Sequence, residues 1–140
     1  MTQNPFAYRA NQAYRGAAVT VPPLKAVALL LDGAITALQK ALEAHEARRF
    51  EEGHAQLMRA TAILRGLSHH LDCNRGGALA DRLYRTYSSL IMAALRAYGR
   101  PGARANFGRI IKGLAELREA WKYVDATVAR TAKSGAGVRS

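Results

Sequence analysis

The sequence predicts an all-α protein, an antiparallel four-helix bundle that has an N-terminal arm and a short disordered C-terminal tail. Apolar residues recur at helical spacing in four segments joined by short breaks, and two of the three breaks are rich in glycine or proline. Because the breaks are short, consecutive helices are expected to be antiparallel neighbours. The 140 residues suffice for one domain with a single hydrophobic core.

The first 21 residues form the predicted arm, since they show no clear periodicity, and the bundle is predicted over residues 22–130. Pro22 and Pro23 mark the start of helix 1, because proline is tolerated in the first turn of a helix. An apolar stripe then predicts that helix 1 continues to about Arg48. The stripe consists of Leu24, Val27, Leu31, Ile35, Leu38 and Leu42.

Three further helices follow the same pattern of apolar spacing. They are predicted from about Phe50 to Leu71, from about Ala78 to Tyr98, and from about Arg104 to Arg130. The loops between them are expected at "DCNRGG", residues 72–77, and at "GRPG", residues 99–102, since glycine and proline end helices. Residues 131–140 contain little that could be buried and are expected to form a flexible tail.

The charge balance of the chain is basic, with 21 Lys and Arg residues against 10 Asp and Glu residues and a formal net charge of +11. Such a charge suits nucleic acid or an acidic protein partner. The basic residues are nevertheless spread over all the predicted helices, and no helix-turn-helix or zinc-finger signature accompanies them. Nucleic acid is therefore not expected as the partner. A basic helical module that binds nucleic acid or an acidic regulatory protein is kept as the alternative hypothesis.

Sequence patterns of catalysis and of metal binding are weak in this chain. His69 and Cys73 lie one turn apart beside His70, but a zinc site needs more ligands of the right type and the chain has no second cysteine. The pair Glu51 and His54 occurs once, whereas a di-iron bundle repeats this spacing on two helices. No phosphate-binding loop or nucleophile motif is present. We therefore expect a protein that is not an enzyme and that uses no metal and no cofactor.

Cys73 is the single cysteine, so no internal disulfide can form. The N-terminus lacks the apolar core of a signal peptide, and the longest apolar run, residues 26–38, is too short for a membrane span. These features predict a cytoplasmic protein without membrane insertion.

Helix 1 carries more apolar residues than one bundle seam needs. Leu29, Leu30, Gly33 and Ala37 form a second, shorter seam, and helix 2 adds a broadened face at Met58, Ile63 and Leu67. One interpretation is a wide core face. The other is a groove that takes an apolar helix from a partner.

Asp32 and Gly33 interrupt this apolar segment and have two corresponding interpretations. In the groove interpretation, Gly33 lets a partner backbone come close and Asp32 marks the edge of the groove. In the core interpretation, Gly33 permits close packing between helices, while Asp32 caps or pairs with the N-terminal arm. Trp121 is expected to pack in the core.

Several motifs, together with their order along the chain, resemble the pattern of the flagellin-specific export chaperone family, FliS. They are Tyr8, "TVPP" at 20–23, "LLLDGA" at 29–34, "LDCNRGG" at 71–77, Tyr87 and "LREAWK" at 117–122. Together they extend over residues 4–124. The chain departs from the family pattern at Leu31, where an aromatic residue is usual, at "TYSSLI", residues 86–91, and in its strongly basic charge.

The resemblance implies a four-helix bundle that binds the disordered C-terminal segment of flagellin and prevents its premature polymerisation in the cytoplasm. It also implies delivery to the flagellar type III export gate, a membrane protein with a cytoplasmic domain, with Tyr8 as the docking residue. The arm is similar to a cap that shifts when flagellin binds. We expect a monomer or a weak homodimer. The predicted flagellin groove comprises Leu29, Leu30, Gly33, Ala37, Met58, Ile63, Leu67, Tyr87 and Ile91.

Overall fold

Four helices make up the regular structure of residues 24–71 and 73–138, the part of the chain that the computed structural model describes; side chains are described for residues 26–71 and 77–123. The helices are α1 (Leu24–Glu46), α2 (Phe50–His69), α3 (Cys73–Ala97) and α4 (Ala103–Val138). The predicted all-α four-helix bundle is thereby confirmed. The predicted N-terminal arm, residues 1–21, lies outside the described residues.

The turn between α1 and α2 is tight. Arg48 adopts a left-handed conformation with φ of 62°, and its amide donates to the carbonyl oxygen of His45. The amide of Arg49 donates to the carbonyl oxygen of Ala44, which closes the end of α1. Glu51 and Glu52 then occupy the first turn of α2, where their negative charges interact favourably with the helix dipole.

The glycines of the two other breaks lie where the sequence predicted that helices end, with one difference in α3. Gly77 has φ of 62° and ψ of −141°, which interrupts the helix at the predicted position. Residues 73–76, predicted as loop, are nevertheless helical, because the glycine kinks the backbone between two helical stretches and does not unwind both. Gly99 and Gly102, with φ of 74° and 80°, form the loop between α3 and α4.

The C-terminal end of α4 differs from the prediction of a disordered tail over residues 131–140. The helix continues beyond Arg130 to Val138. This segment contains no proline, and extending an existing helix requires only one further residue to be ordered for each new hydrogen bond. The low apolar content of residues 131–140 suggested a tail, but it does not determine where this helix ends.

Contacts between the helices show that the bundle is antiparallel. Gly33 of α1 packs beside Ile63 of α2, whereas Gly53, near the start of α2, lies beside Ala41, near the end of α1. In the same way, α3 and α4 meet at Leu90 with Gly113. Each helix packs on the next one along the chain, and α4 returns to pack on α1, which closes the ring.

One hydrophobic core fills the bundle and includes residues from all four helices. Trp121 belongs to it, as predicted. The buried hydroxyl of Thr61 donates to the carbonyl oxygen of Met58 at 3.1 Å, so this polar group is satisfied within its own helix. The largest fully buried side chains are those of Tyr87, Phe107, Leu31, Leu38, Leu64, Leu67, Leu114 and Val27.

Candidate functional site

A surface groove of about 470 Å³ runs between the outer faces of α1 and α2. Its floor is made of small side chains, and its rim carries polar and charged ones. The lining residues are Asp32, Gly33, Thr36, Ala37 and Lys40 of α1 with Gln56 and Arg59 of α2. The groove therefore includes the Asp32–Gly33 pair that the sequence singled out.

Gly33 brings α1 and α2 close together at one end of this groove. A methyl group on its Cα would lie 3.4 Å from Cδ1 of Ile63, a distance at the tight limit of ordinary packing. Gly33 is also partly exposed. This single glycine therefore serves close helix packing, as one interpretation of the sequence had it, and also opens the floor of the groove.

Asp32 is bound to the last helix of the bundle. The Arg118 guanidinium donates from Nη1 to Oδ1 of Asp32 at 2.7 Å and from Nε to Oε2 of Glu119 at 3.0 Å. The hydrogen bond to Asp32 is the main cause that raises the pKa of Arg118, and the hydrogen bond from Arg118 is the main cause that lowers the pKa of Glu119. Arg118 is thus shared between two carboxylates and offsets part of the charge of Asp32 from the side that faces α4.

Lys40 and Arg59 add positive charge to the groove. Both side chains are exposed, and neither forms an ion pair within the part of the chain that is described. Arg49 and Arg104 differ in this respect, since Arg49 pairs with Glu52 and Arg104 pairs with Glu46.

The residues predicted to bind a partner divide into two groups. Leu29 is 69% exposed, and four others are partly exposed: Leu30, Gly33, Met58 and Ile63. The remaining predicted residues, Ala37, Leu67, Tyr87 and Ile91, are buried in the core cluster. For this second group the wide core face is the interpretation that agrees with the structure, because their side chains fill the space between helices.

The structure brings Gly33, Ala37 and Ile63 together at the α1–α2 surface. Met58 and Ile63 do not line the groove themselves, and Ile63 lies next to it through its contact with Gly33. Tyr8, predicted by resemblance to dock on the export gate, lies outside the described residues.

Apart from Asp32, the polar residues of the groove were not predicted from the sequence, because apolar spacing alone does not identify them. Thr36 and Lys40 are one turn apart and follow Asp32 at the same spacing, which places all three on one outer face of α1. This repeat of four residues was the available signal. Exposed apolar side chains elsewhere were also missed as surface features: Phe50, Tyr84, Met92 and Tyr123, with Leu79.

A second cluster lies at the end of the bundle that holds the α1–α2 and α3–α4 turns. The His45 ring packs edge-on against Phe50, at 5.2 Å between ring centroids, and against Tyr98, at 5.0 Å. Tyr98 also packs on Phe107. The cluster joins three helices and is a packing feature of the fold.

Among the described residues, no set of three or more His, Cys, Asp or Glu side chains is placed to hold a metal ion. Within the same part of the chain, none of the helices combines the length and the apolar character that crossing a lipid bilayer needs.

Comparison with known protein families gives one match. The model of a family described as flagellar protein FliS matches residues 6–128, nearly the whole chain. No curated protein matches the chain. The matched residues include all of α1, α2 and α3, and with them every residue of the groove.

Proposed function

Because this chain belongs to the flagellar protein FliS family, we propose that it is an export chaperone that binds the disordered C-terminal segment of flagellin. Binding would keep flagellin from polymerising in the cytoplasm before it is exported. This activity requires a surface that covers apolar side chains of the flagellin segment. It requires no chemical step. The family match over residues 6–128 is the observation that carries this proposal.

Exposed apolar side chains on α1 and α2 support a role in binding a flexible chain. A disordered segment loses conformational entropy when it binds, so its interface must bury apolar surface in compensation. Leu29 is largely exposed, and Leu30 and Ile63 are partly exposed, close to the glycine that opens the groove. We place the first contact of the flagellin segment at these residues.

The buried members of the predicted set take part differently in this proposal. A partner could reach Leu67, Tyr87 or Ile91 only if the bundle opened, because these side chains are 1%, 0% and 7% exposed. In this proposal they pack beneath the residues that face outwards and support them.

Delivery to the export gate is the second part of the proposal. The chaperone with its client would dock on the cytoplasmic domain of the gate protein through the N-terminal arm, with Tyr8 as the contact residue. This part is supported by the family match, which begins at residue 6 and so includes Tyr8. Replacing Tyr8 with alanine is expected to reduce export and leave flagellin binding intact.

The direct test is titration calorimetry of the whole chain with the C-terminal segment of flagellin from the same organism. We expect saturable one-to-one binding that persists at high salt, because apolar burial is not screened by ions. Absence of binding would contradict the proposal. Binding that falls steeply with salt would favour the alternative, a basic module for nucleic acid or an acidic regulator.

A pair of variants locates the contact. Leu29→Glu places a charge on α1 at the proposed surface, and Leu79→Glu places the same charge at a similarly exposed position on α3. We expect Leu29→Glu to weaken flagellin binding about tenfold or more, the loss that follows when an apolar contact is replaced by a desolvated charge. Equal effects of the two variants would show that the contact lies elsewhere.

A further inference from the structure

The groove between α1 and α2 is lined by three charged residues. Lys40 of α1 and Arg59 of α2 have no ion-pair partners among the described residues, and Asp32 is the third. Asp32 is already bound by Arg118, which offsets part of its negative charge, whereas the described residues supply no carboxylate partner for the two cations. The groove as a whole therefore presents net positive charge to an occupant.

The side chains at the floor of the groove, between Asp32 and Lys40, are small. Gly33 and Ala37 are one turn apart on α1, and neither carries more than a methyl group. An occupant can therefore bring its backbone close to α1 at this point. The rise of a helix places Asp32 and Lys40 about 12 Å apart along the axis. This length fits about two turns of a bound helix.

We infer that this groove binds an acidic stretch of a polypeptide, with carboxylate side chains against Lys40 and Arg59 and a small-residue face against Gly33. Charge complementarity selects the occupant, since both free side chains on the groove rim are cations and the chain carries a formal net charge of +11. The inference rests on the proposed function in that the acidic stretch belongs to the client segment. It adds a charge requirement to a contact that the proposed function describes as apolar.

The test uses two synthetic helical peptides that differ only in charge. Both are rich in alanine and leucine; one carries two Glu residues one turn apart, and the other carries Gln at the same positions. At low salt the whole chain is expected to bind the Glu peptide about tenfold more tightly, a difference typical of two exposed charge pairs. The difference should shrink at high salt because ions screen exposed charges.

Matched variants of the chain assign the preference to the groove. Lys40→Gln with Arg59→Gln removes both rim cations, and Arg96→Gln with Lys112→Gln removes two exposed cations of α3 and α4. We expect the first pair to abolish the preference for the Glu peptide and the second pair to preserve it. Circular dichroism checks that both variants fold. If both variants lost the preference for the Glu peptide equally, the inference would be overturned. The preference would then depend only on the net charge of the chain.

NMR shift mapping locates the bound peptide independently of affinity. We expect the amide signals of Gly33, Thr36 and Gln56 to move on addition of the Glu peptide. Shifts confined to other surfaces would overturn the inference. So would movement of these amides when the concentration of the chain alone is raised, which would assign the groove to a second copy. A short RNA that displaces the Glu peptide and moves the same amides at lower concentration would assign the groove to nucleic acid instead.

The two proposals fail separately. If the chain binds no flagellin segment but retains the Glu preference, and loses it in Lys40→Gln with Arg59→Gln, the acidic groove stands and the proposed client is wrong. If the chain binds the flagellin segment and shows no preference between the two peptides, the inference is wrong and the chaperone proposal stands.

Discussion

Gly53 lies directly against the side chain of Tyr98, and this contact shows how much one residue controls in this bundle. A methyl group on Gly53 would overlap the Tyr98 hydroxyl oxygen and would lie 3.2 Å from the carbonyl oxygen of Ala41. The Tyr98 ring is itself held between His45 and Phe107. Relief of the overlap would therefore require the Tyr98 side chain to leave its position between these rings.

We therefore predict that Gly53→Ala destabilises the fold, although alanine is the better helix former. The expected loss is about 1–3 kcal/mol in the free energy of unfolding, the range typical of overpacking in a core. Urea denaturation followed by circular dichroism measures it. Gly66→Ala, in the same helix, is the control: a methyl group there meets nothing within 4 Å, so we expect unchanged or slightly increased stability.

Tyr98 supplies a second prediction, because its hydroxyl is buried and has no hydrogen-bond partner among the described residues. Tyr98→Phe removes this unsatisfied group and is expected to leave stability unchanged or to raise it by about 1 kcal/mol. The same substitution should partly rescue Gly53→Ala. A clear loss of stability in Tyr98→Phe would show that the hydroxyl has a partner.

The pH dependence of the same residue follows from its burial. Burial raises the pKa of Tyr98 above its ordinary value of 10.0. Between the unfolded and folded pKa values the native state binds more protons, so rising pH lowers stability in this alkaline window. The wild-type chain is therefore expected to lose more stability than Tyr98→Phe between neutral pH and pH values above about 10. Parallel denaturation curves at neutral and alkaline pH test this.

At the scale of the element, α3 shows how a helical stripe divides between core and surface. Its buried side chains recur every three or four residues. Met92 follows directly after Ile91 but is turned by about 100° around the helix axis, so it is 47% exposed where Ile91 is 7% exposed. The buried row comprises Ala80, Leu83, Tyr87, Ile91, Ala94 and Ala97.

These neighbours make a matched pair of substitutions. Ile91→Glu would place a charge in the core, and we expect it to cost about 3 kcal/mol or more of stability. Met92→Glu should change stability by less than about 0.5 kcal/mol. Thermal unfolding of both variants measures this difference in stability. Similar melting temperatures for the two would mean that α3 does not hold Ile91 in the core.

At the scale of the whole molecule, the first and last helices close the bundle. Arg118 of α4 binds Asp32 near the start of α1, and Arg104 binds Glu46 at its end, with Nε of Arg104 3.1 Å from Oε2. All four side chains are partly or largely exposed. Exposed ion pairs contribute little to stability, so apolar burial between α1 and α4 is expected to hold the ring closed.

Asp32→Asn tests this division of roles. We expect a small loss of stability at low salt that disappears at high salt, because ions screen an exposed pair. Urea denaturation at both salt concentrations measures it, with Asp81→Asn as the control for a pair within one helix. A large loss that salt does not change would mean that the Asp32–Arg118 pair, and not the core, closes the bundle.

Much of the candidate site could be predicted from local sequence, and the remainder depended on contacts between distant residues. Helical spacing predicted that Leu29, Gly33 and Ile63 belong to two neighbouring helices with surplus apolar surface. It could not separate exposed Leu29 from buried Ile91, since both belong to apolar stripes. A stripe shows which side of a helix is apolar, and the packing of the neighbouring helices determines how much of that side is covered.

By itself, the sequence determined the helices, the glycine breaks between them and the family to which the chain belongs. These features depend on residues within a few positions of each other or on motifs read in order. Only the tertiary structure decided that Asp32 pairs with Arg118 and that Tyr98 packs on Gly53. These partners lie far apart along the chain, and the same local pattern is compatible with many other pairings. The net charge of the groove is likewise a tertiary property, because it depends on which cations remain unpaired once the four helices have packed.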